Sequence, residues 1–340
     1  MKLFARVGLV AVVLAAGCGD DDDTADRPPT TVTSTTSNTS TTSTTPAPTP
    51  PLGPLADVTP PDDWPKDLQG RIAFTAGGPF AEDIYVIDAD GTHFARVTND
   101  PGAMEFDPTW SPDGRHIAYR HQARDNEDTA EIWVMDADGS HKRALTDNDR
   151  PDWGPVWSPD GATIAFNAGG SPHTFGLGLV RPDGSGTHVV EPEVWVEYAD
   201  WSPDGKRVVF MGTSGRQYDI FTMNADGTGV TRLTDNPADD GWPVWSPDGR
   251  TIAFSSQRGL TDEGQRLYLM DADGSDERQV PIDRFAQFPA WSPDGRYLLF
   301  GPGLNLVRPD GTGLTELSTP GAGDTPLLLD WVAPQSNTSG

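Results

Sequence analysis

The chain has 340 residues and carries 24 Lys and Arg against 51 Asp and Glu, a net charge of −27. A surface of that sign repels phosphate backbones and anionic headgroups, which argues against nucleic acid as a partner and leaves membrane contact to a covalent anchor. The single cysteine, Cys18, excludes an intrachain disulfide, so the fold must stand on packing alone.

Residues 1–18 read as an export signal: Lys2 and Arg6, then an apolar run from Val7 to Ala16 that is too short to span a bilayer. The run ends in Leu-Ala-Ala-Gly-Cys at 14–18, which resembles the lipobox of bacterial lipoproteins. That resemblance implies lipid attachment at Cys18 and an extracytoplasmic protein held at a cell membrane. Residues 19–62 follow without apolar periodicity: Asp20–Asp23, then a Thr/Ser/Pro tract ending in Pro-Ala-Pro-Thr-Pro-Pro at 46–51. Such a segment cannot bury enough apolar surface to fold, and its prolines keep it extended. It is expected to be a disordered spacer, able to reach on the order of 100 Å at ~3 Å per residue.

The remainder is organised by one pentapeptide, Trp-Ser-Pro-Asp-Gly, starting at Trp110, Trp157, Trp201, Trp245 and Trp291, a period of 44–47 residues. Each copy precedes a short apolar run, as in His116–Tyr119, Thr163–Phe166 and Arg207–Phe210. A second run then ends in an Asp-Gly turn, at Asp90, Asp138, Asp183, Asp226, Asp273 and Asp310. Alternation of period two between turn residues describes half-buried strands. A repeat in the mid-forties describes one four-stranded blade of a β-propeller. In each pentapeptide Ser, Pro, Asp and Gly suit the four positions of a type I turn, and the Trp is large enough to fill the gap between blades.

The ends complete the count. The first apolar strand, Ile72–Phe74, has no pentapeptide before it, and an orphan Trp strand, Leu327–Val332, stands at the C-terminus. One mends the other if Trp331 closes the ring, in preference to a rival strand at Trp64. The expectation is an all-β, six-bladed propeller over residues 63–333, closed by the C-terminal strand, with a disordered tail at 334–340.

Residues 70–332, through the five pentapeptides and their matched strands, resemble the WD40-like repeats of TolB-type propellers. They are also similar to the propeller halves of prolyl oligopeptidase-type peptidases. The first resemblance implies a protein- or peptide-binding module. The separate N-terminal domain of the TolB family and the hydrolase domain of the peptidases find no match in this reading.

Candidate chemistry is sparse. Asp-x-Asp-Gly at Asp88, Asp136 and Asp271 suits Ca²⁺, but the leading position becomes Arg181, Asn224 and Arg308 in the other repeats, as a turn tolerates and a ligand set does not. There is no HExxH, GxSxG or P-loop, and the six histidines are scattered. No catalytic residue, metal or cofactor is assigned. What remains is an aromatic three or four residues before each repeat Trp: Phe106, Trp153, Tyr198, Trp242 and Phe288. Acids accompany them, Asp107, Asp152, Glu197 and Asp240 among them. At one mouth of the central channel these groups would hold a cationic peptide, or a cell-wall glycan, by stacking and charge-assisted hydrogen bonds. The reading is a monomeric cell-envelope lipoprotein that binds a protein or peptide. A propeller lyase, cyclase or hydrolase working at the mouth is the alternative.

Overall fold

The computed structural model describes residues 60–78, 81–169, 175–213, 217–258, 264–319 and 327–334. Cys18, the expected signal, nearly all of the expected spacer and the tail from 335 lie outside them.

Six antiparallel four-stranded sheets form the blades. Blades 2 to 6 begin at the Trp-bearing inner strands Ala103–Trp110, Asp152–Trp157, Glu197–Trp201, Asp240–Trp245 and Gln287–Trp291. Blade 1 is composite. The C-terminal strand Leu327–Val332 pairs with Arg71–Gly78, setting Trp331 opposite Ile72, and Ala81–Asp88 and Ala95–Arg96 complete the sheet. The inner strands touch one another in unbroken succession around the axis, the sixth meeting the first through the C-terminal strand. Closure removes the free edges that an open stack of sheets would expose.

The pentapeptide turns are built alike. In blade 2 the Gly114 amide donates to Ser111 O at 2.8 Å, closing the turn. Ser111 Oγ donates to Asp113 Oδ1 at 2.7 Å and accepts from the His116 amide at 2.9 Å, while Asp113 also accepts from the Arg115 amide at 3.0 Å. The same bonds recur from Ser158, Ser202, Ser246 and Ser292. Ser and Asp are therefore spent on the turn itself. The outer Asp-Gly turns are equally uniform: Asp90, Asp138, Asp183, Asp226, Asp273 and Asp310 each accept the amide two residues on, at 2.9–3.0 Å.

Each repeat Trp packs against the preceding blade. Trp110 lies with Ala73, Ile84 and Val86 of blade 1, and Trp157 with Ala118, Ile132 and Val134 of blade 2. Trp201, Trp245 and Trp291 repeat the contact, and Trp331 closes it against Leu299, Leu304 and Leu306 of blade 6.

The segment before the first strand reinforces this seam. Trp64 forms no strand but is 1% exposed, clustered with Trp331, Tyr297 and Phe94, and its Nε1 donates to Ala89 O at 2.9 Å. Trp331 Nε1 donates to Gln69 O at 3.0 Å, and Thr315 Oγ1 of blade 6 donates to Asp63 at 3.0 Å. The rival closing strand is thus a plug over the joint between blades 6 and 1. Trp64→Ala is expected to cost about 3–5 kcal/mol of stability in denaturant unfolding. Trp64→Phe, which keeps most of the volume but loses the bond to Ala89, should cost only about 1–2 kcal/mol.

Candidate functional site at the axial channel

The channel wall is made by a repeated backbone irregularity. In blades 2 to 6 the pairing of the inner strand with its neighbour slips by one residue, between Phe106 and Thr109 in blade 2 and at corresponding places in the others. The residue three before the repeat Trp takes a left-handed conformation: Asp107 (φ 52°), Gly154 (59°), Tyr198 (47°), Trp242 (52°) and Phe288 (53°). Only glycine adopts this freely, so the Tyr, Trp and Phe are held there by the bulge and its surroundings. Pro108, Pro155, Pro243 and Pro289 follow, fixing φ at the next position. The five left-handed residues line an axial cavity of about 140 Å³ together with these prolines and with Thr109, Val156, Asp200, Val244 and Asp330, each just before a repeat Trp.

The wall has two sides. Blades 4, 5 and 6 supply an aromatic arc, with the Tyr198 and Trp242 ring centres 5.8 Å apart and those of Trp242 and Phe288 4.8 Å apart, nearly edge-on at 70°. Blades 2 and 3 supply Asp107 and Gly154. Asp107 is 8% exposed; one of its oxygens lies 3.4 Å from Arg120 Nε and accepts from the Gly154 amide, and the other has no hydrogen-bond partner. Arg120 stacks on Phe106 at 4.2 Å. Nearby Glu82 has its carboxyl pushed up by burial, opposed by the charge of Arg120.

On the same wall stand Asp200 and Asp330, one residue before the repeat Trp on blades 4 and 1, which are opposite one another in the ring. Each bonds to the next blade: Asp200 accepts the Trp245 amide at 2.7 Å and Asp330 the Trp110 amide at 2.6 Å. Asp330 also accepts the Trp331 amide at 2.8 Å. Burial pushes Asp200 up to about 7, outweighing its backbone bond from Trp245, and the charge of Asp330 raises it further. Burial raises Asp330 as well, against the bonds from Trp110 and Trp331.

Of the residues singled out in the sequence, Asp107, Tyr198, Trp242 and Phe288 come together on the channel wall. Phe106 and Trp153 stand one residue earlier in the bulge, Phe106 beneath Arg120, and neither lines the cavity. The remaining acids are engaged beside it. Asp152 accepts from Asn148 at 2.7 Å and is pushed up to about 6 by burial. Burial takes Glu197 to about 7, against a bond from the Tyr218 hydroxyl at 3.4 Å. Asp240 pairs with Arg258 at 2.8 Å and accepts from Asn236 at 2.7 Å. Sequence reasoning passed over Arg120, Asp200 and Asp330. The signal for the last two was present: the residue before the repeat Trp is Asp in two repeats and Thr, Val, Val or Ala in the others.

A sequence profile of the TolB beta propeller domain matches residues 65–189 and 122–305. The chain belongs to this family. It is 43% identical over 44 residues to the Tol-Pal system protein TolB of Anaeromyxobacter dehalogenans, a match spanning 13% of this chain and 10% of that relative. Among solved structures it is similar to TolB from Acinetobacter baumannii (TM-score 0.65, 20% identity, 80% of this chain and 68% of that one). It is also similar to a putative TolB from Agrobacterium tumefaciens (TM-score 0.58, 20% identity, 78% and 99%). A chain of a nidogen/laminin complex superposes comparably (TM-score 0.62) at 10% identity, so the likeness to solved structures is one of fold.

The raised carboxyls of this TolB-type propeller set its stability against pH. Between the ordinary value of 3.8 and about 7, folded Asp200 retains a proton that the unfolded chain has released, so stability falls as pH rises through that window. Asp200→Asn keeps an acceptor for the Trp245 amide and is expected to flatten the stability–pH curve from pH 4 to 7 by about one proton. Denaturant unfolding at three pH values checks this, and an unchanged slope contradicts it.

Proposed function

We propose that the channel mouth binds an extended, cationic segment of a partner protein outside the cytoplasm. The observation that carries the reading is the aromatic arc of Tyr198, Trp242 and Phe288 facing Asp107, whose second oxygen is buried without a partner. Three aromatic side chains held in a left-handed backbone are expensive to maintain, and such strain gathers at binding sites. Stacking rings opposite carboxylates suit a basic or amide-rich chain, and the net charge of −27 would speed its arrival. The relative named as a Tol-Pal system protein supports an envelope setting for this one. In this reading export and lipidation at Cys18 hold the protein at a membrane, and residues 19–62 carry the propeller away from it as a monomer.

Two measurements test the proposal. In crosslinking capture from envelopes, Trp242→Ala and Tyr198→Ala are expected to lose a partner retained by the wild type, with at least tenfold weaker binding, as for an aromatic anchor worth about 2 kcal/mol. Unchanged thermal unfolding must accompany the loss, and capture of the same set by all three proteins sinks the reading. Independently, Cys18→Ser is expected to move the protein from the membrane fraction to the soluble one; persistence in the membrane fraction rules out the lipid anchor.

A further inference from the structure

Where the residue that opens a blade's second strand is long or aromatic, it meets the next blade's Trp. In blade 1 the Arg71 guanidinium lies 4.2 Å from the ring centre of Trp110, and in blade 4 Arg207 lies 4.7 Å from that of Trp245. In blade 2 the His116 ring stacks on Trp157 at 6.4 Å, tilted 29°. In blade 6 Tyr297, 3% exposed, shares a cluster with Trp331. In blade 3 the position is Thr163 and in blade 5 it is Thr251, and both side chains are too short to cover an indole.

A cleft of about 400 Å³ opens at the second of these, lined by Thr251, Trp291, Leu269, Asp248, Asp294 and Arg278, among others. Among the described residues no cation of this chain stacks on Trp291. Arg278 is held aside, its Nη1 bonded to Asp276 Oδ2 at 2.9 Å. Asp248 is kept below the usual carboxylate range by bonds from Ser246 and the Arg250 amide, so it is ionised at neutral pH. Asp294 is likewise lowered by bonds from Ser292 and Arg296, although burial opposes them.

We infer that this cleft takes an arginine side chain of a partner protein, its guanidinium lying on Trp291 as Arg71 and Arg207 lie on their own tryptophans. The chemistry is that of a cation over an indole face with carboxylates at the rim. The chain supplies the template twice and leaves the slot open between blades 5 and 6. This surface lies at the pentapeptide end of the inner strands, whereas the bulges that shape the proposed mouth lie toward their beginnings. It is therefore a second contact, independent of the first.

The probe is the blocked tripeptide acetyl-Gly-Arg-Gly-amide, titrated against the ¹⁵N-labelled propeller while the indole N–H resonances are followed. The Trp291 signal, assigned with Trp291→Phe, is expected to shift saturably. Acetyl-Gly-Glu-Gly-amide should leave it in place. Thr251→Arg, which fills the slot with the chain's own guanidinium, should weaken the response at least tenfold without loss of stability. Trp242→Ala should leave the response unchanged, separating this cleft from the channel. The inference is overturned by an unmoved Trp291 signal, by an equal response to the glutamate peptide, or by undiminished binding to a folded Thr251→Arg variant. Loss of the response in Trp242→Ala overturns it as well.

Discussion

The fold depends on one contact made six times: an indole at the end of an inner strand, wedged against the middle strands of the blade before it. With no disulfide available, these wedges and the apolar strands beneath them must hold six sheets at fixed angles. The contact is directional, so the ring is complete only when a Trp on the first blade packs against the last. Trp331 does this from the far end of the sequence, joining strands separated by about 260 residues. Trp64 caps the same joint from the other side, concentrating buried aromatic surface where closure is entropically most demanding.

The channel is a consequence of how those inner strands are made. Each carries a bulge three residues before its Trp, and a bulge re-aims side chains that a regular strand would turn away. At the bulge, blades 2 to 6 present to the axis an acid, a glycine, a tyrosine, a tryptophan and a phenylalanine in turn. Asp200 and Asp330 add a different device. By accepting the amide of the neighbouring blade they join blades across the seam while placing carboxyl groups on the channel wall. A low dielectric there makes them hold protons at a pH where exposed aspartates have released them. Structure and electrostatics are thus tied together at the axis.

Repetition also makes departures from the pattern informative. Six near-copies within one chain form an internal comparison in which a position serving only the fold stays constant. The turn serine and aspartate stay constant in the five copies of the pentapeptide, and their bonds explain why. The residue before the Trp and the residue after the turn vary, and there the chain places its opposed carboxyls and, among the described residues, leaves Trp291 without a stacked cation.

The amino-acid sequence by itself determined the blade count, the strand order within each blade and closure by the C-terminal strand, because turns and alternation are local signals and the repeat Trp marks every blade. Comparing repeats also reads the Asp-x-Asp-Gly aspartates as turn residues, because the leading position varies among Asp, Asn and Arg. The sequence could not decide which residues face the axis. Phe106 and Trp153 look equivalent to Tyr198, Trp242 and Phe288 when distance from the Trp is counted loosely, yet a shift of one residue in a strand sends a side chain to the other face. The bulge fixed that register, and it arises from the pairing of each inner strand with its neighbour, not from any residue's own preference. Nor could the pairing of Asp107 with Arg120, or the burial that raises Asp200, be read along the chain. Both come from groups brought together by closure of the ring, and only the tertiary structure sets those distances.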